Sequence, residues 1–524
     1  MKKVENVRKV SILNEVMGPV MHGPSSSHTA ASYNIGYLVR NLLNNEPETI
    51  DIIFSKNGSY AAVYHQQGSD RGFASGLLGW DITDDRFSSV LEELKKTDLK
   101  ITYKIEDIKE NDHPNAIKII GKSRKGILVE VIAKSIGGGA IEITQFNGWP
   151  VNLTGEAYDL LIEVENKVLD SVSQLFRNEP KNLGPPSFQR HTNNSLLHIR
   201  STCPINENKI NKIYCINGII GIWSTTPVFF IQPGEPLFTC EKEMIQLAEI
   251  KNYSLGQIAL AYESKLLGIS EEKLSKEMYR RYIIMKTAVQ KGLDNNLQGM
   301  QFLEPTAGAI FEAERNGKVA IGGMHTRAAA RAMAVMQVDC SMGVVCAAPT
   351  GGSAGTIPGV ITTLEEERKL NEQQIVLALY AASAIGLILA IKGTFAAEVA
   401  GCQVEIGAAG AMSAALVVEV VGGSAKQACD AAAVQFQNTM GSICDCVQGF
   451  AEIPCHLRNA IAASSAFVSA DLVLGGYQNP IPLDETIDAV ISVGNMLPRE
   501  LRCTALGGLA ITPSALSLKP KSEE

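Results

Sequence analysis

The sequence contains no block of basic residues and no stretch in which Lys or Arg alternate with aromatic side chains. With a formal net charge of -8 and a pI near 5.7, it lacks the electrostatic footprint of a nucleic-acid binder, which leaves small molecules or other proteins as partners. The opening stretch MKKVENVRKVSILNEVMG is charged throughout and has no apolar segment before a small-residue cleavage site. No secretory signal is therefore expected, and the chain is expected in the cytoplasm. The uncharged run over residues 375–391, IVLALYAASAIGLILAI, is close to the length of a membrane span. That run is Ala-rich and lies among other Ala/Gly-rich helical segments, so it reads as a buried core helix, and no membrane partner is expected. There is no Cys-x-x-Cys pair, which removes a zinc ribbon or a bacterial ferredoxin run. There is also no period of 20 to 50 residues that would indicate a solenoid.

The cysteines that are present number eleven, and eight of them follow residue 300. An odd count in a chain expected in a reducing compartment argues against a disulfide framework. Metal or cluster ligation then competes with plain packing for the later ones, because free cysteine is among the most buried residue types.

At 524 residues and 45% hydrophobic content, the chain is long enough for two or three cores. Residues 1–150 mix a helix-like stretch over 32–43 with alternating segments, TIDIIFS and GILVEVIAKSI, as an α/β unit would. This part closes on SIGGGAIEI, whose three glycines suit either a tight turn or the close approach of backbone to a ligand. Residues 151–235 read as strand, helix, strand, a less certain element and strand. That rhythm looks like an ACT-like βαββαβ unit, a small regulatory fold, although ferredoxin-like units share it. Residues 236–524 are nearly all helical, first charged and amphipathic, then rich in Ala, Gly and Val.

Three places carry candidate chemistry. MHGPSSSHTAAS, residues 21–32, gathers three serines, a histidine and a threonine behind a Gly-Pro turn; a helix N-cap accounts for one of these side chains and leaves four. Cys402, Cys444 and Cys455 stand in AGCQVEIG, GSICDCVQG and EIPCHLRNA. In GMHTRAAARAM, His325 and Arg327 are either an anion site at a helix start or an ordinary helix surface.

The words GPSSSHTA, SIGGGAIEITQFNG, TAVQKGL, CAAPTGGSAGTIPGV, GCQVEIGAA, CDCVQGFAEIPCHLRNA and GGLAITP resemble iron-sulfur-dependent L-serine dehydratase. Their order is that of the family's β chain, with its ACT module, fused ahead of the α chain. The resemblance implies a deaminating lyase with a [4Fe-4S] cluster held by Cys402, Cys444 and Cys455, one iron being open to substrate. It gives no such role to Cys340, Cys346, Cys429, Cys446 or Cys503. Ser25, Ser26, Ser27, His28 and Thr29 would then neutralise the carboxylate of an amino acid, since a buried unpaired charge is costly. It also implies an amino-acid effector at the ACT-like unit and a homodimer.

The family's usual base is a histidine in a GHGTD-like word, but here the stretch is YHQQGSDRG, with Gln67 at that position. Glutamine cannot take a proton, which leaves His65, two residues earlier, and His28 as base candidates. Further departures put Lys392 where an asparagine is usual, turn Cys-Asp-Pro-Val into CDCV, and turn Arg-Glu-Thr into LRCT with Cys503. They motivate a changed substrate (L-threonine, L-cysteine or a larger β-substituted amino acid) or a non-catalytic amino-acid sensor as alternatives to an L-serine lyase. Pyridoxal phosphate is not expected, because Lys134 is too close to SIGGG to serve as its Schiff-base lysine beside a phosphate loop.

Overall fold

The computed structural model describes residues 8–108, 113–177, 179–294 and 296–521; the first seven residues of the opening stretch lie outside these. The N-terminal region is built on a six-stranded sheet in the order Lys100–Glu106, Pro47–Ser55, Ala116–Ser123, Leu128–Gly137, Ala140–Phe146 and Trp149–Leu153. The first two strands pair in parallel and the rest antiparallel. Along Pro47–Ser55 the alternation seen in TIDIIFS turns Ile50, Ile52 and Phe54 inward, as the two-residue period of a strand requires. They meet Ile35, Leu38 and Leu42 of the Ala31–Leu42 helix and Phe73 and Leu77 of the Ser69–Leu78 helix.

A second sheet follows, in the order Ile219–Thr225, Tyr158–Glu165, Asn194–Ser201 and Ser187–Arg190, antiparallel throughout. The Leu169–Gln174 and Glu207–Tyr214 helices complete it, and Leu160, Ile162, Leu197, Phe176 and Ile213 fill its core. The less certain element KINKIYCI lies in the second of these helices. Ser187–Arg190 is exposed along its whole length, so it has no burial alternation to read in sequence.

The helical region is organised around Glu372–Lys392, which is buried at nearly every position from Ile375 to Ala390. It packs against Leu255–Leu267, Glu271–Gly292 and Ile406–Val420. Ala378, Ala381, Ala384, Ala408, Ala411 and Ala415 keep the helices close. Three helical stretches, Glu372–Lys392, Cys402–Val420 and Cys455–Leu474, are long and apolar enough to cross a membrane by length and composition; in the first two, 83% of the most apolar window is buried inside the protein.

The N-terminal segment does not stay with its own sheet. Val10, Ile12, Leu13, Val16 and Met17 are embedded in the helical core, where the carboxylate of Glu263 accepts from Ser11 Oγ and from the backbone N–H groups of Ile12 and Leu13. Val20–His22 then pairs antiparallel with Val344–Cys346. These contacts pin residues 10–22 to the helical region and set the following turn, GPSSSHTA, at the junction of the two halves.

Candidate active site

Ser25 is the cap of that turn. Its backbone is extended and its Oγ accepts from His28 N–H; the chain then runs through Ser26–Ala30 into Ala31–Leu42. The other four side chains have different tasks. Ser26 Oγ accepts from Gly351 N–H at 3.2 Å, docking the loop of APTGGSAG onto the turn. Thr29 Oγ1 donates to the carbonyl of Gln67 at 2.8 Å. His28 is wholly buried, with Nδ1 3.1 Å from both Ser25 Oγ and Ser27 Oγ and Nε2 3.0 Å from Ser59 Oγ. Burial holds its pKa below the usual value despite the nearby Glu398 carboxylate, so the ring is neutral at neutral pH. Ser27 Oγ donates to Glu398 Oε1 at 2.5 Å.

Facing this turn, five thiols converge from three separate stretches. Cys444 Sγ lies 3.9 Å from Cys446 Sγ, which lies 3.7 Å from Cys455 Sγ. Cys402, Glu405 and Cys444 place ligand atoms within 4.8 Å of one another, and Cys503 touches Cys444. All five cysteines are free and buried. The Arg458 guanidinium stands 3.9 Å from Cys402 Sγ and pairs with Asp445 at 2.9 Å. Donation from Cys444 and Cys455, helped by Arg458, pulls the Cys446 thiol well down, whereas contacts with other thiols and burial push Cys444 and Cys455 up. Burial, then the charges at Cys402 and Glu398, keeps the Glu405 carboxyl well above the usual carboxylate range.

Soft sulfur donors gathered from distant parts of the chain, beside a cation and without disulfide bonds, fit an iron-sulfur group. Cys446 and Cys503, which sequence resemblance leaves to packing, stand inside this cluster of thiols. Only contact geometry reveals them.

A small cavity separates the turn from the thiols. Ser25, Ser27 and Gln67 form its N-terminal wall, and Glu398, Glu405, Cys444, Cys446, Cys455 and Cys503 form the helical wall. Gln67 Nε2 donates to Gly449 O at 3.2 Å and lies 3.5 Å from Cys503 Sγ. Thus three of the residues where this chain departs from the family's words, Gln67, Cys446 and Cys503, line one cavity. The SIGGG hairpin resolves as a close approach between protein segments: Gly137 has φ of 98°, and a Cβ there would lie 2.8 Å from Ala396 N. Thr394 Oγ1 donates to Ile136 O at 3.2 Å, so this hairpin carries the backbone just before Glu398.

Other candidates lie outside the cavity wall. The His65 side chain is 59% exposed and its Nδ1 is 2.6 Å from Asp70 Oδ2, whose hydrogen bond raises the imidazole pKa. Arg327 pairs with Glu314 and Glu367, and His325 lies edge-on to Phe467, so both are tied into the helical scaffold. Lys392 pairs with Asp484 and Asp488, and Lys134 with Glu142 at 3.2 Å.

An α/β region laid against an alanine-rich helical region, with free thiols and a polar turn meeting between them, defines the class of protein. Residues 247–510, half of the chain, match the model of the serine dehydratase alpha chain family. A probable L-serine dehydratase alpha chain of Bacillus subtilis is 35% identical over 285 residues, covering 54% of this chain and 95% of that one. The L-serine dehydratase alpha chain of Peptoniphilus asaccharolyticus is 33% identical over 270 residues, 51% of this chain and 92% of that one. The beta chain from the same organism is 32% identical over 198 residues, 37% of this chain and 88% of that one. The chain belongs to the serine dehydratase alpha chain family and carries a beta-chain-like N-terminal region on the same polypeptide.

Proposed function

We infer that this protein is an L-serine ammonia-lyase, a deaminating lyase that converts L-serine to pyruvate and ammonia. The observation that carries this is the meeting of the GPSSSHTA turn with Cys444 and Cys455 across one buried cavity, with Cys402 beside Cys444, in a chain whose relatives are named L-serine dehydratases. Those names favour L-serine over L-threonine, L-cysteine or larger β-substituted amino acids, and favour turnover over sensing.

Cys402, Cys444 and Cys455 are the residues we assign to holding a [4Fe-4S] cluster, with the Arg458 charge beside it. Bound there, such a cluster supplies a Lewis acid that eases departure of the substrate hydroxyl, a poor leaving group. The chain's own residues do the rest. Ser25 faces the cavity and holds the amino-acid carboxylate; Ser27 lines the same cavity with its hydroxyl given to Glu398, and Ser26, His28 and Thr29 fix the turn through Gly351, Ser59 and Gln67. The cavity lies between two packed halves, which keeps water away and strengthens each polar contact inside. After dehydration, 2-aminoacrylate tautomerises and hydrolyses to pyruvate and ammonia.

The proposal extends to a division near residues 150 and 235, with the middle unit as an ACT-like regulatory module. Its strand order in sequence terms, 4-1-3-2, supports that, as does a cavity of about 270 Å³ bounded by Asn152, Gln189 and His198 that suits an amino-acid effector. A cytoplasmic homodimer completes it; Leu457, Ile461, Val468 and Leu472, exposed on one face of Cys455–Leu474, support a contact with a second copy.

The test is anaerobic purification, iron and sulfide analysis, and a screen of L-serine, L-threonine and L-cysteine for ammonia and 2-oxo acid. Iron with sulfide and preferential turnover of L-serine are expected; protein without iron that is inert toward all three amino acids refutes the assignment.

A further inference from the structure

We propose that Glu398 is the base that removes the α-proton of the substrate amino acid. This rests on the deaminating-lyase reading and names the group it leaves unassigned. A base needs a fixed atom with a free lone pair facing the space that substrate fills. Among the described residues lining the cavity there is no histidine, and the amide of Gln67 does not take up a proton. The cavity-lining thiols contact one another, and Glu405 stands with the sulfurs of Cys402 and Cys444. His28 sits behind the wall with hydroxyl partners at both ring nitrogens.

Glu398 has the required geometry. Its side chain is only 2% exposed. Oε1 accepts from Ser27 Oγ at 2.5 Å and Asn115 Nδ2 at 3.0 Å, with His28 Nδ1 at 3.6 Å. These contacts anchor Oε1. Oε2 is fully enclosed and has no hydrogen-bond partner among the described residues, although the residue lines the cavity beside Ser27 and Cys503. A buried carboxylate oxygen left unpaired is costly and uncommon in a native interior, so its place in the wall of the cavity between the turn and the thiols has a functional explanation.

The step balances within the substrate. The Cα–H bond breaks and the proton passes to Glu398 Oε2; the electron pair left on Cα forms the Cα=Cβ bond. The Cβ–O bond breaks and its pair departs with the hydroxyl oxygen, which becomes water on taking the proton held by Glu398, so the carboxylate is regenerated. L-Serine thus gives 2-aminoacrylate and water, with no oxidant or reductant. Ser27 and Asn115 are positioning residues, acting through Glu398 Oε1.

The experiment compares wild type, Glu398→Gln and Glu398→Asp, all purified without oxygen and each assayed for iron, sulfide, L-serine binding by equilibrium dialysis, and turnover. Glu398→Gln is expected to retain iron, sulfide and L-serine binding and to lose about 10³-fold in kcat, within the range ascribed to a positioned base. Glu398→Asp is expected to keep partial activity with a larger kinetic isotope effect on α-deuterated L-serine, because a displaced carboxylate makes proton removal more rate-limiting. A Glu398→Gln enzyme that turns over within tenfold of wild type overturns the assignment, as does one that loses its iron or an unchanged isotope effect in Glu398→Asp. A wild-type protein that releases no ammonia from L-serine sinks the lyase reading itself, whereas an active wild type with an active Glu398→Gln sinks the base alone.

Discussion

Ser27 Oγ donates to Glu398 Oε1 at 2.5 Å, joining residues 371 positions apart and tying the N-terminal turn to the short helix Ala397–Ala400 ahead of Cys402. The same serine is held from behind, since Tyr60 OH donates to its carbonyl at 2.8 Å. The bond therefore locks the two walls of the cavity to each other. A hydrogen bond to a charged group contributes about 1.5–3 kcal/mol, which converts to about ten- to a hundredfold in rate. Ser27→Ala is expected to lower kcat/KM by that factor while iron content stays at the wild-type level, as steady-state assays paired with iron analysis will show.

Gly137 supports the other side of Glu398. Its φ of 98° lies in the region favoured by glycine, and a Cβ would press on Ala396 N at 2.8 Å. Gly137→Ala is expected to cost about 1–3 kcal/mol from backbone strain alone, seen as a lower urea midpoint. Because the displaced segment leads directly into Glu398, the surviving folded protein should also turn over more slowly than wild type at equal iron content.

Much of this architecture is legible in the sequence because the signals are local. TIDIIFS alternates, so Ile50, Ile52 and Phe54 point inward, and the Ala-rich run over 375–391 is the buried axis of the helical region. The cluster of thiols is legible only in part. Motif words lead to Cys402, Cys444 and Cys455, but nothing local distinguishes Cys446 and Cys503 from packing cysteines. Their proximity depends on how residues 444–455 fold back and where the chain returns at 503. Glu398 is invisible for the same reason: it is one acidic residue in an apolar word until Ser27, Asn115 and an unpartnered Oε2 surround it. Conversely, His65 looks like a base because it is near Gln67 in sequence, yet its largely exposed ring pairs with the buried Asp70 of the Ser69–Leu78 helix and lies outside the cavity wall.

Stability should fall as pH rises from 5 to 7. Burial pushes the Glu15 carboxyl from the usual 4.5 up to about 7, against the opposing charge of Arg8 and together with the charges of Glu156 and Glu263. The folded protein thus holds a proton that the unfolded chain releases near its ordinary value. That stabilisation is complete below the unfolded pKa and is lost as pH rises through the folded one, at up to about 1.4 kcal/mol per pH unit. Burial raises Glu156 and Glu263 in the same direction. Urea unfolding at pH 5 and 7.5 should show the decline, and Glu15→Gln should flatten it; equal slopes in both proteins would contradict this account.

Cys446 gives the sharpest test of the ligand set. Its sulfur lies between Cys444 and Cys455, so on proximity alone it competes with both. It occupies the middle of the row, however, and removing it leaves Cys402, Cys444 and Cys455 free to converge on a common centre. Cys446→Ala and Cys503→Ala are therefore expected to purify anaerobically with wild-type iron and sulfide, while Cys402→Ala, Cys444→Ala and Cys455→Ala lose most of both. If Cys446→Ala strips the iron instead, the centre is held by a set that includes Cys446, and the assignment of three ligands fails.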